Sequence, residues 1–496
     1  MLHLQHTCHA TAAPRPAGRQ QKTNKTAMKR LRSLRGLLLA AAAVMTLSSF
    51  DVAEYDYIRV AAPFPMPAIP VYNFPHRDFT ITDYGAKKRG TATDEACTTA
   101  NTEAFRRAMQ ACSEAGGGRV VVPDGEWPCG PIHFKSNCEL HLSDGATVRF
   151  SSDPARFLPA VEVSWEGMEC MNYSPMVYAY RCENIAITGG GKLTPDMATW
   201  RTWFSRPKPH MDALARLYDW AYQGLPVAQR NMAEGQNHLR PHMIHFNQCR
   251  NIMLDGFKIR NSPFWTIHMY RCEGGIVRNL DVYAHGHNND GIDLEMTRNF
   301  LVEDCIFDQG DDGVVIKSGR NHDAWRIGQP TENIVVRNCR VRNAHGLLVI
   351  GSEISGGIRN VYMHDCSMDD KVITLFYLKT NHRRGAFIKD IYMERVSANE
   401  MQRAFAVDTD VLYQWKDLVP TYKDSITAIS DIFMRDVKCR VADGIYEING
   451  DKRLPVRNVN IENLEVDTVR KYTTRAANVE GLHTENIKWN TFTGKE

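Results

Sequence analysis

The chain has 496 residues, of which 43% are hydrophobic and 24% charged. Those proportions are ordinary for a globular protein and exclude wholesale disorder or collagen-like structure. Eight of the 60 Lys/Arg and none of the 57 Asp/Glu lie in the first fifty residues, so the formal net charge of +3 hides a remaining chain at −5, with no general attraction for nucleic acid or anionic membrane.

The first fifty residues read as an address. From Met28, the basic residues Lys29, Arg30, Arg32 and Arg35 precede an apolar stretch from Leu37 to Leu47. That is the pattern of a secretory signal, and the apolar stretch is too short for a membrane span. Small residues at Ser48, Ser49 and Ala53 put cleavage nearby, and no Cys follows the apolar run as a lipoprotein requires. Met28 is a better start than Met1, so residues 1–27 read as an over-extended N-terminus. Residues 1–53 are expected to be leader and signal peptide, and 54–496 one catalytic domain. The product is expected to be exported, periplasmic or secreted, monomeric, and not inserted in a membrane after cleavage.

Phe79–Tyr84 predicts a strand. Thr99–Glu114 predicts an amphipathic helix with Ala104, Phe105, Ala108, Met109 and Cys112 on one face. Gly116-Gly117-Gly118 stops it, Val120–Val122 gives a strand and Pro123-Asp124-Gly125 a turn. Such a helix is suited to capping the open end of a solenoid. Residues 197–240 are rich in Trp, Arg, Pro and His, with Met211–Gln223 helical, and read as an insertion forming one wall of a binding site.

A short motif recurs: Asn or Asp, apolar, any residue, apolar. Copies start at Asn184, Asn251, Asn299, Asn333, Asn360, Asp390, Asp431, Asn458 and Asn486, with a degenerate copy at Gly274. Apart from one gap of 67 that holds the insertion, the spacings run from 23 to 41 residues. Each copy alternates apolar and polar positions with the period of a strand, and one unit per repeat stacks on the next. No Leu framework is present, and a β-sandwich would not repeat one motif in one phase. A parallel β-helix is predicted. Cys182, Cys249 and Cys272 each sit two residues before a motif, and Cys305, Cys339 and Cys366 six after its start. Equivalent positions in neighbouring coils stack about 4.8 Å apart, whereas a disulfide wants Cβ atoms about 3.5–4.5 Å apart and facing. These cysteines therefore read as buried ladders. Cys97/Cys112 and Cys129/Cys138 are left open as pairs.

Reactive groups gather in three consecutive coils. Asp311 lies twelve residues after Asn299, and His345 twelve after Asn333, so they share a station. Aligning Asp290-Gly-Ile-Asp, Asp312-Gly-Val-Val and Gly346-Leu-Leu-Val puts Asp290 and Asp312 in one column as well. Three close carboxylates repel, so one holds a proton, which is the division of acid and base that glycosidic hydrolysis needs. Asp293 reads as a turn or ladder residue. A second column carries Lys317, Gly351 and Lys379, followed by Arg320, Arg383 and Arg384. A cationic strip beside a carboxylate cluster suggests an anionic substrate. Trp265 and His268 lie one coil earlier and read as the floor of a sugar subsite, core packing being the alternative for Trp265. His285-Gly286-His287 completes no zinc spacing, so no metal is expected there.

These residues closely resemble glycoside hydrolase family 28, the polygalacturonase family, from about Phe79 to the C-terminus. Its Asn-Thr-Asp is matched by Asn288-Asn289-Asp290, its Gly-Asp-Asp by Gly310-Asp311-Asp312, and its Gly-His-Gly by Ala344-His345-Gly346. The resemblance implies a right-handed parallel β-helix, inverting hydrolysis of pectic oligo- or polysaccharide, and no cofactor or metal. It implies Asp311 as general acid, Asp290 and Asp312 as the groups that activate water, His345 as the residue that tunes the acid, and Lys379 as a ligand for a galacturonate carboxylate. Asn288, Lys317, Tyr377, Trp265, His268 and Arg384 are the further candidate substrate-binding residues. The family's Arg-Ile-Lys is here Tyr377-Leu378-Lys379. Tyr377 would stack on sugar, or Arg383 or Arg384 would replace the missing charge, which admits rhamnogalacturonan or another uronide as substrate. The 197–240 insertion suggests exo action. A lyase working by elimination, and a polysaccharide-binding β-helix without turnover, are the competing readings.

Overall fold

The Asn or Asp that heads each repeat turns a corner. In the computed structural model, which describes residues 55–411 and 424–494, φ is positive at Asn184 (55°), Asn251 (52°), Asn299 (62°), Asn333 (58°), Asn360 (56°), Asp390 (55°), Asp431 (59°) and Asn458 (50°). Short polar side chains tolerate this left-handed conformation better than others do. Their amides also form a ladder along the axis: Asn251 donates to Asn184 Oδ1, Asn333 to Asn299 and Asn360 to Asn333, each at 2.9 Å. The motif is thus a corner followed by a strand.

The strands pair in parallel, coil on coil. One column runs Ile185, Ile252, Gly275, Phe300, Ile334, Val361, Ile391, Ile432, Val459. The sheet has 27 strands, and the fold is the right-handed parallel β-helix. The last copy of the motif departs from the expected phase. Val459 pairs with Leu482, and Ile487 pairs with Leu464. Gly481 (φ 70°) takes the corner, while Asn486 turns the next one and donates to Asn463 Oδ1 at 3.0 Å.

Every second strand residue points inward and is buried in one continuous core. The twelve described cysteines are free thiols and buried, including Cys97, Cys112, Cys129 and Cys138. The first helix spans Asp94–Glu114, capped by the Thr93 hydroxyl on Ala96 N, and its buried face is the one expected. It packs on Val120, Val122 and Leu140 of the first coils. Residues 1–53, read as leader and signal, lie outside the described residues. No helix among the described residues is long and apolar enough to cross a membrane.

The insertion forms helices Ala198–Thr202 and Lys208–Gln223. Leu214, Leu217, Tyr218 and Ala221 of the second pack with Trp165, Phe264 and Trp265, covering the outer face of two coils. Arg230, near its end, makes a buried pair with Asp323 (2.5 Å, each side chain 4% exposed) on the helix Asn321–Ile327. The insertion is therefore anchored both to these coils and to that helix.

Candidate active site

On the strands Ile292–Glu295, Val314–Lys317, Arg340–Gly351, Ser367–Lys379 and Phe387–Asp408, residues alternate between the core and the outer face. Register then decides which outer residues meet. Glu295 pairs with Lys317, and Gly351 with Lys379. The same offsets put Asp290 beside Asp312. His345 N donates to Asp311 O at 2.7 Å. The counted phases of all four groups hold.

They line a cleft of about 520 Å³, with Lys317, Lys379, Tyr377, Trp265, Asn288 and Arg384 also in its wall. Lys379 Nζ donates to Asp312 Oδ2 at 2.8 Å. His345 Nδ1 is 3.1 Å from Asp311 Oδ1. Lys317 is buried under the floor, 3.7 Å from Asp290, 3.6 Å from Asp293 and 3.1 Å from Glu353, with its ammonium 4.5 Å from the Trp265 ring centre. Its charge is held in place by carboxylates. Arg384 is also buried, donating to Ser352 O at 2.8 Å and Asn321 Oδ1 at 2.7 Å. Asn288 Oδ1 accepts from Arg206 of the insertion (2.5 Å) and from Arg240 (2.9 Å).

The carboxyls differ in environment. Burial, then the charge of Asp311, pushes Asp290 well above the usual carboxylate range. Asp311 is also pushed up by burial, but the His345 hydrogen bond and charge, with Lys379 and Lys317, outweigh that and hold it low. His345 is raised in turn by its hydrogen bond to Asp311. These directions favour a proton on the imidazole of the Asp311–His345 pair and another at Asp290.

Two expectations are corrected. Asp293 is no turn residue: it lies in a strand, fully buried, facing Lys317. His268 does not floor a subsite with Trp265. It points outward from its coil, but His242, His245, Trp265 and Glu295 pack around it, and it is 0% exposed. The counted motifs did not single out Arg206, Arg240, Glu353 or Arg403. Arg403 was findable: Gly346 pairs with Thr374 and Thr374 with Arg403, so it continues the column of Asp290 and Asp312. Its guanidinium lies 5.1 Å from the Tyr377 ring centre, at the cleft wall. Asp311, Asp312 and His345 offer ligand atoms within 4.8 Å of one another, a group where Lys379 already supplies a cation to Asp312.

A solenoid with an acidic cluster in a cation-rimmed lateral cleft defines a carbohydrate-active β-helix. The sequence profile of glycosyl hydrolases family 28 matches residues 227–486, and the chain belongs to that family. It is similar to the crystal structure of a hyperthermoactive exopolygalacturonase from Thermotoga maritima (35% identity, TM-score 0.77, covering 85% of this chain and 94% of that one). It is 25% identical over 318 residues to a probable polygalacturonase of Vitis vinifera, spanning 62% of this chain and 59% of that protein. It is also 25% identical over 306 residues to an exo-poly-alpha-D-galacturonosidase of Dickeya chrysanthemi, spanning 57% and 48%. The chain thus spans about half to three-fifths of the length of these two curated relatives.

Proposed function

We propose that this protein hydrolyses galacturonan-type pectic oligo- or polysaccharide from chain ends, by single displacement with inversion. The observation that carries the reading is the acidic trio Asp290, Asp311 and Asp312 facing one cleft with the Lys379 ammonium on Asp312.

Hydrolysis needs a proton delivered to the leaving oxygen and one removed from water. Asp311 is suited to the first step. Its carboxylate shares a proton with His345, so as negative charge develops on the leaving oxygen the proton passes to Asp311 and on to the sugar. Asp290 and Asp312 are suited to the second. Asp290 is more basic than an ordinary carboxylate because of burial and the charge of Asp311, and in its ionised form it can take the proton of an attacking water. Lys379 holds Asp312 in place and reaches into the cleft, where a uronate carboxylate would meet it. Arg403 offers the planar cation that Tyr377 does not. Arg206 and Tyr218, both from the insertion, narrow the cleft, which favours short chains and terminal cleavage. The basic and apolar leader supports export from the cytoplasm.

The test is product analysis by NMR for wild type and Asp311→Asn, on galacturonan and rhamnogalacturonan oligosaccharides. Saturated monosaccharide released with inverted configuration, lost in the variant, is the expected result. Unsaturated product would mean elimination. Binding without turnover in either protein would leave a polysaccharide-binding β-helix. Faster turnover of rhamnogalacturonan would move the specificity to that polymer, a reading favoured by Tyr377 in place of Arg. Equal cleavage of internal bonds would overturn the exo mode.

A further inference from the structure

Behind the cleft floor, three histidines converge without any part in the chemistry above. His245 lies in the strand Ile244–Asn247, and His268 is its direct neighbour in the next coil. His242 comes just after the 197–240 insertion. All three are buried. Their ring centres form a nearly equilateral triangle with sides of 4.8, 4.8 and 4.7 Å. His268 Nδ1 lies 3.0 Å from His245 Nδ1 and 3.2 Å from His242 Nε2.

We propose that His242, His245 and His268 form a three-imidazole site for a divalent cation of the zinc class, which fastens the end of the insertion to two successive coils. Nitrogens bound to zinc at about 2.1 Å lie roughly 3.0–3.4 Å apart at angles between square and tetrahedral. The two measured separations fall in or at the edge of that window.

Hydrogen positions point the same way. His268 Nε2 is 2.9 Å from Glu295 Oε2; with the carboxylate ionised, the hydrogen sits on Nε2 and Nδ1 presents a bare lone pair. That single lone pair faces two other ring nitrogens. It can accept one good hydrogen bond, whereas a cation accepts a lone pair from each ring. Glu295 is itself fixed by Ser164 Oγ (2.9 Å) and Gly319 N (3.1 Å). A carboxylate on the distal nitrogen of a ligating histidine orients the ring and raises its basicity. The Thr266 hydroxyl, two residues before His268, is buried and has no partner among the described residues. Trp265 stands edge-on to His268 at 5.0 Å and carries Lys317 over its ring, so the cation would stiffen the floor on which Asp290 rests.

This inference stands independently of the hydrolase reading. The full chain, purified without a metal-affinity step, is loaded with excess Zn²⁺ and desalted. Stoichiometric zinc, three imidazoles in its X-ray absorption spectrum, and a fall in thermal midpoint on chelation are expected. His245→Gln should lose the metal, and if that variant does not fold, the wild-type spectrum decides. Folded wild type that retains no zinc would overturn the proposal, the histidines then being a hydrogen-bonded cluster only. So would zinc showing a single imidazole and lost in His345→Ala, which would put it at Asp311, Asp312 and His345.

Discussion

Replacing Lys379 by Met removes one ammonium and keeps most of the apolar stem. In the folded protein that ammonium is 2.8 Å from Asp312 Oδ2, with the two side chains 12% and 4% exposed. At that distance the attraction is about 6 kcal/mol at an effective dielectric of ~20, before desolvation is counted. Removing one partner of a buried pair typically costs about 3–5 kcal/mol, because the other charge is left behind. Cleft water can reach Asp312, so the lower figure, ~3 kcal/mol, is the expected loss of folding stability, and the lost charge-assisted contact to a substrate carboxylate, about 1.5–3 kcal/mol, corresponds to about one to two decades in rate. We expect kcat/KM on galacturonan oligosaccharides to fall by about 10–100-fold. Lys379 also acts to lower both Asp290 and Asp311, so the acid limb of the pH profile should move to higher pH. Lys379→Arg should recover stability more than activity, because the charge returns in a different position. The assay is initial rate by reducing-end release across pH, with urea unfolding in parallel. A folded Lys379→Met protein with kcat/KM within about threefold of wild type, and an unmoved acid limb, would refute the reasoning.

Two further outcomes follow from the site. The ordinary pKa of His345, 6.5, is raised by its partner Asp311; its protonated form is favoured on folding, so the pair contributes fully below pH 6.5 and is lost as pH rises through the higher folded value. The alkaline limb of kcat should therefore lie above that of a free imidazole, and His345→Ala should lower kcat and erase that limb, as measured by rate against pH. Arg403→Ala should raise KM for galacturonan oligosaccharides by roughly 10–100-fold with little change in kcat, the loss of one charge-assisted contact made equally in ground and transition states; initial-rate kinetics on oligosaccharides of defined length check it.

The active-site phases could be counted from the sequence because the corners keep register. Each Asn in the left-handed conformation resets the coil, so twelve residues after Asn299 and after Asn333 is the same place. Where a second corner also carries Asn, the count slips, and that is why Asn486 was assigned to the wrong station. Periodicity also told which side chains point outward, but outward and exposed are different properties. His268, Asp293 and Glu295 all point away from the core and are 0% exposed: His242 lies against His268, Lys317 faces Asp293, and Ser164 of the Val161–Asn172 hairpin bonds Glu295. Nothing in a period of two reports a covering layer that arrives from elsewhere in the chain. Arg206 and Arg240 illustrate the converse: they reach Asn288 from segments 82 and 48 residues away, through long side chains whose course no spacing rule fixes. The residues that perform the proposed chemistry were therefore legible, being fixed by the regular coil. The residues that set its charge, its width and its buried support were not, because they depend on how an irregular insertion folds back over that coil.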